Sequence, residues 1–251
     1  MSRHLESMGS VEARAAAKSR AVEGEGMARV VQGGHGTLVG PAVLLSEGNK
    51  LYLRVTFENQ DYPHEEIACD GDTTTVRPVQ SGQRPPLGDF LFVHHQIIEE
   101  GLLGGVLSTA WPLLRLEERR PKLRYNGLKK VGGQTLHRLE YRARKRAGDF
   151  KTYLYFEPES FRHVLTTYSL TIHPAIASGP IESARQQPTR LKLEESFGDF
   201  QQVDGLTLPF HWNIRLSREG TDGTMVLEWD QIFQRITHNQ ETSASSFRIE
   251  K

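Results

Sequence analysis

The chain reads as a mainly β (α+β) protein. The predicted architecture is one strongly curved antiparallel sheet of about 11–12 strands that curls towards a barrel, with helices plugging or capping its concave face. Three observations predict this. Apolar and polar residues alternate with a period of two through most of the chain after Arg20. The alternating segments are joined by short turn sequences. One stretch, Leu87 to Leu114, departs from the alternation and is the most apolar part of the chain.

The N-terminal segment is helical in character. Ser2 to Met8 places Leu5 and Met8 on one side and ends at Gly9, and Ser10 is an N-cap for an alanine-rich helix over Val11 to Lys18. Strands are predicted next over Ala21–Gln32, Gly36–Ser46, Lys50–Glu58, Glu65–Cys69 and Thr73–Val79. Leu51, Leu53, Val55 and Phe57 point one way, and Tyr52, Arg54 and Thr56 the other. Gly33-Gly34, Glu47-Gly48-Asn49, Asn59-Gln60-Asp61 and Asp70-Gly71 supply the turns. After the helical stretch, strands resume over Lys122–Val131, Gln134–Lys145, Lys151–Phe156, Phe161–Ile172, Arg190–Gln201, Leu206–Arg218 and Gly223–Arg235. Such short links imply an antiparallel meander, and the lack of βαβ alternation excludes parallel α/β folds. Val79–Pro86 and Pro174–Pro188 read as loops, and the tail from Thr237 is polar apart from Phe247 and Ile249.

Leu87 to Leu114 raises the question of a membrane span. Its uncharged part, Gly101 to Leu114, is shorter than the roughly 20 apolar residues a bilayer demands. It also carries Gly104, Gly105 and Pro112, with Glu99 and Glu100 beside it. Phe90, Val93 and Ile97 have helical spacing, widened by Leu91 and Ile98. The expectation is therefore a helix over Gly88–Glu100, ended by Gly101, and a shorter one within Val106–Leu114 with Pro112 in its first turn. The Gly104-Gly105 pair between them is a natural hinge. The two helices are either permanent core or a movable apolar lid.

Composition limits the function classes. Lys+Arg and Asp+Glu both number 31, so no global field draws nucleic acid or acidic lipid. One cysteine, Cys69, precludes an intrachain disulfide, which suits a cytosolic protein and equally an exported one without bridges. Met1 leads directly into a charged amphipathic segment with no visible signal peptide. No GxSxG elbow, P-loop or GxGxxG is present. His94-His95 with Glu99 and Glu100 is the best metal candidate, His95 and Glu99 being four apart, but HExxH and a third ligand are lacking. The run Arg142–Arg146 reads as a solvated strand edge. Trp111, Trp212 and Trp229 are candidates for lining a pocket or for plain core.

The order of elements resembles the periplasmic outer-membrane lipoprotein carrier and sorting proteins, the LolA/LolB-like superfamily. The resemblance rests on HLESMGS closing the N-terminal helix, VEGEGMARV as a first strand and the CDGDTTTV turn. It continues through KLRYNGLKKVGGQTLHRLEY, TYLYFEPESFRHVLTTYSL, FGDFQQVDGLTLPFHWNIRL and the Asn239–Phe247 spacing. It implies one LolA-like domain over residues 1–251. It also implies an unclosed β-barrel whose concave apolar face accepts acyl chains, and hence a periplasmic, non-enzymatic, monomeric binder of lipid or lipoprotein acyl chains, with membrane-associated protein partners, no cofactor and no nucleic acid. The expected cavity and lid residues are Phe90, Val93, Ile97, Leu102, Leu103, Val106, Leu107 and Trp111, with Trp212 and Trp229. The middle segment and Pro174–Pro188 are longer than the family pattern, and Cys69 is internal, so a lipid-anchored receptor is not implied. Two other classes stay open from the residues: a sensor or scaffold domain that binds a protein or peptide along a sheet edge, and a hydrolase or metalloenzyme built on His94 and His95.

Overall fold

The computed structural model describes residues 1–78, 83–144, 150–173, 188–221 and 223–249. Twelve strands form one antiparallel sheet. They are β1 (Ser19–Gln32), β2 (Thr37–Glu47), β3 (Lys50–Thr56), β4 (His64–Cys69), β5 (Thr74–Arg77), β6 (Lys122–Val131), β7 (Gln134–Arg142), β8 (Lys151–Phe156), β9 (His163–Ile172), β10 (Thr189–Val203), β11 (Leu206–Gly220) and β12 (Gly223–His238). The order across the sheet is β5-β4-β3-β2-β1-β12-β11-β10-β9-β8-β7-β6. Every neighbour is a sequence neighbour except the central pair, where β1 meets β12 with Ala28 opposite Trp229 and Val30 opposite Leu227. Turn chemistry sets the registers: Asp204 and Gly205 both have positive φ (50° and 78°), as a two-residue hairpin turn requires, and Val203 pairs with Leu206.

The sheet is not closed. Its free edges are β5 and β6, and the chain that joins them, described over residues 83–121, has to cross from one edge to the other. This connectivity is what carries the apolar stretch onto the concave face. Leu87, Leu91, Ile97, Ile98, Leu103, Val106, Leu107, Trp111 and Leu113 are all buried there, in one cluster with Leu44, Leu53, Ile67, Leu154, Trp212 and Ile214 of the sheet. Burying each such side chain stabilises by about 1.5–3 kcal/mol, so the segment is a major part of the core. No helix among the described residues is long and apolar enough to cross a membrane.

The N-terminal helices are α1 (Ser2–Met8) and α2 (Val11–Ala16), and Ser10 caps α2 by accepting from the Ala13 N–H at 3.2 Å. The mid-chain helices differ from expectation. The single helix over Gly88–Glu100 is split into α3 (Pro86–Val93) and α4 (Gln96–Glu99). The break is at His94, whose ring packs on Phe90 (4.8 Å) and Phe150 (4.6 Å). In place of a second helix within Val106–Leu114 there are 3-10 turns at Gly105–Leu107 and Pro112–Arg115, then α5 (Leu116–Arg119). Pro112 does lie in the first turn of its element, where its missing N–H costs nothing. The parts of the expected Val79–Pro86 and Pro174–Pro188 loops at 79–82 and 174–187, of the basic run at 145–146, and the turn residue Asp222 lie outside the described residues.

Candidate functional site

A cavity of about 950 Å3 lies at one end of the curved sheet. The inner face of the sheet builds its apolar wall: Ala28 and Val30 of β1, Leu38 of β2, and Leu227 and Trp229 of β12. Period-two alternation puts Ala28 and Val30 on the same face, and the β1–β12 register sets Trp229 and Leu227 beside them. Pro85 and Pro86, at the start of α3, close the opposite side. The volume is in the range of small-molecule sites, about 300–1,000 Å3.

Polar side chains at the cavity are connected to the core. Trp229 Nε1 donates to Tyr62 Oη at 2.9 Å, and the Tyr62 hydroxyl donates to Glu65. Glu65 is fully buried, and burial pushes its carboxyl up to about 8, against the pull of the Tyr62 hydroxyl and the Gly88 and Leu87 N–H groups. Gly88 is required here. A Cβ on it would lie 2.7 Å from Val76 Cγ1 and 3.1 Å from Glu65 Oε2, so the N-terminal turn of α3 packs directly on β4 and β5.

A second buried carboxyl holds the middle of the crossing segment. Glu195 of β10 accepts from Gly104 N–H (2.7 Å), Tyr168 Oη (2.7 Å) and Trp212 Nε1 (3.0 Å). Burial raises its carboxyl to about 7, opposed by these three donors. Gly104 and Gly105, the expected hinge, have φ of 77° and 51° and are buried. A Cβ on Gly105 would stand 2.8 Å from Phe197 and 3.0 Å from His163, so the pair is a close-packing point. The next carbonyls, Val106 and Leu107, accept from the buried Arg20 guanidinium at 2.6 and 2.9 Å. Burial lowers Arg20 to about 10. Further along, Trp111 Nε1 donates to His4 Nε2 at 3.1 Å, and burial lowers His4 to about 4.

The expected lining residues are placed as follows. Phe90, Ile97, Leu102, Leu103, Val106, Leu107, Trp111 and Trp212 are buried in the core beneath the sheet, and Trp229 is in both the core cluster and the cavity wall. Val93 is a correction: it is 56% exposed, on the outer side of α3 with Phe92, while Phe90 and Leu91 of the same turn face the core. The histidine pair is divided between two tasks. His94 packs tilted against Phe90 and edge-on to Phe150, while His95 Nδ1 contacts Glu99 Oε1 at 2.8 Å. Among the described residues no three His, Cys, Asp or Glu side chains converge as a metal site would. Cys69 is fully buried, and burial raises its thiol.

Glu65, Glu195 and Arg20 are the groups that the sequence reading passed over. The signal was parity. Glu65 alternates with Ile67 and Cys69, Glu195 with Leu193 and Phe197, and Arg20 with Val22, which puts each on its strand's buried face.

No family model and no curated protein matches the chain. Solved structures are similar to it in outline. A LolA superfamily protein from Nitrosomonas europaea is 13% identical over 91% of this chain and 90% of its own, with a TM-score of 0.45. A DUF1329 family protein from Desulfovibrio piger is 10% identical over 98% and 95%, with a TM-score of 0.48. A domain described as outer membrane lipoprotein-sorting, from Vibrio parahaemolyticus, is 10% identical over 94% and 93%, with a TM-score of 0.42. The superfamily that the strand layout resembles is thus among the structural neighbours. At such identities and TM-scores none of them assigns a function to this chain.

Proposed function

We propose that this protein is a non-catalytic periplasmic carrier that binds lipid acyl chains, free or on a lipoprotein, at the open end of its curved sheet. The observation that carries the reading is the cavity of about 950 Å3 walled by Val30, Leu38, Leu227 and Trp229. Its wall is continuous with the core through Trp229. Each methylene moved from water into such a wall contributes about 0.8 kcal/mol, so eight of them supply roughly 6 kcal/mol before ordering costs. Deeper uptake exchanges one apolar surface for another, as side chains of the crossing segment give way to the ligand. The strand layout's resemblance to lipoprotein carriers supports the periplasmic setting and the absence of catalysis.

The test uses a neutral probe, a pyrene-labelled fatty alcohol, titrated into the purified chain and followed by energy transfer from tryptophan. A Kd of about 10 μM or tighter is expected. Leu38→Asp, which puts a charge in the wall, should weaken it at least about tenfold. A folded wild-type chain that binds no probe and releases no lipid on extraction overturns the reading.

A further inference from the structure

We infer that the cavity selects an anionic amphiphile: a single acyl chain that ends in a carboxylate or phosphate head. This deepens the proposed acyl-chain reading and rests on it. The inference comes from how charge is distributed around the cavity. The chain as a whole is neutral, yet among the described residues the charged side chains lining this cavity are Arg29, Arg77 and Arg84 against one carboxylate, Asp61. The apolar wall comes from the inner face of β1, β2 and β12, whereas Arg77 and Arg84 flank the entry to α3.

The arginines are held in place from outside the cavity. Arg29 pairs with Glu228 at 2.5 Å, Arg77 with Glu66 at 2.7 Å, and Arg84 with Asp89 at 3.6 Å while stacking on the Phe92 ring at 3.6 Å. None of those three acidic partners lines the cavity. A guanidinium has five N–H donors in a rigid fork, so one engaged by a carboxylate on one side still presents donors to a second oxyanion. Orientation by the first partner lowers the ordering cost of gripping the second. An amphiphile with its chain along Val30, Leu38 and Trp229 meets these groups with its head. A cationic head would meet like charge there, and a neutral head would forgo charge-assisted hydrogen bonds.

The experiment compares pyrene-labelled probes of equal chain length with alcohol, carboxylate, phosphate monoester and amine heads, at low and high salt. Carboxylate and phosphate probes are expected to bind about tenfold tighter than the alcohol, with the gap narrowing as salt screens it. The amine should bind more weakly than the alcohol. Arg77→Gln with Arg84→Gln should reduce the gap to about threefold or less and leave alcohol affinity within about twofold, which separates head recognition from loss of the fold. Inorganic phosphate alone should not displace the probe, since it has no chain to bury. Equal affinity for alcohol and carboxylate overturns the inference and leaves acyl binding standing, as does a gap that the double variant does not change. If no probe binds, both readings fall.

Discussion

Glu65 and Glu195 are two buried carboxyls with nearly the same companions and different settings. Each receives a tyrosine hydroxyl; Trp212 donates to Glu195 directly, while Trp229 reaches Glu65 through Tyr62; and each lies beside the crossing segment, Glu195 accepting from Gly104 N–H and Glu65 standing against Gly88. Glu195 has its tyrosine and tryptophan sealed in the core, with Tyr168 and Trp212 both 0% exposed. At Glu65 the corresponding Tyr62 and Trp229 form part of the cavity wall. One clasp is closed off from water, and the other opens on the proposed binding site. The difference assigns them different work. The Glu195 contact anchors the crossing segment to β10, while the Glu65 contact joins the ligand's wall to the start of α3. Arg20, on Val106 and Leu107, strengthens the anchored end only.

The largest test of that contrast removes the carboxyls. Glu195→Ala leaves the Gly104, Tyr168 and Trp212 donors buried without an acceptor, and a loss of about 3–5 kcal/mol in urea unfolding is expected. Glu65→Ala should cost about 1–2 kcal/mol, because water in the cavity can reach Tyr62. Equal losses would erase the distinction.

The pH dependence gives a sharper but smaller test. Both glutamates have folded-state pKa values raised from 4.5, to about 7 for Glu195 and about 8 for Glu65. In that window the folded state binds more protons than the unfolded one, so stability is full below about 4.5 and falls as pH rises through 7 and then 8. His4, lowered to about 4 from 6.5, acts with the opposite sign, and its contribution is lost as pH falls through that range. Glu195→Gln can still accept from Gly104 and Trp212 with its oxygen while its amide donates to Tyr168. Thermal melts of this variant should show a shallower decline between pH 4.5 and 7, with the Glu65 decline towards pH 8 retained. An unchanged profile would remove Glu195 as its source.

The smallest expected effect bears on the cavity itself. Tyr62→Phe should change affinity for the fatty-alcohol probe by about threefold, since the hydroxyl orients Trp229, whereas Tyr168→Phe should leave affinity within error. A larger response at Tyr168 would move the binding site into the core.

Much of the architecture was legible beforehand. Twelve alternating segments were readable because each strand's pattern is local, and turns such as Asp204-Gly205 end them without help from distant residues. The helical stretch was less so. His94, at the break, packs against Phe150, which comes from a separate part of the chain, and Val93 lies on the outer side of α3. Parity placed Glu65 and Glu195 on buried faces, but a glutamate within Glu194-Glu195 or Glu65-Glu66 looks like an ordinary surface charge until its partners are known. The partners of Glu195 are more than fifteen positions away in Trp212, Tyr168 and Gly104, whereas Glu65 has Tyr62 only three positions before it.

The sequence by itself determined the strands, their antiparallel turns, the zero net charge and the apolar character of Leu87–Leu114, all properties of residues near one another along the chain. Only the tertiary structure decided that β1 pairs with β12, that β5 and β6 stay apart, and that the segment between those edges crosses the concave face. The pairing of β1 with β12 sets Trp229 beside Ala28, and the free edges oblige the chain to span the opening. The cavity, its arginines and the two glutamate clasps follow from those long-range pairings, whose energetics reside in contacts between residues the sequence keeps far apart.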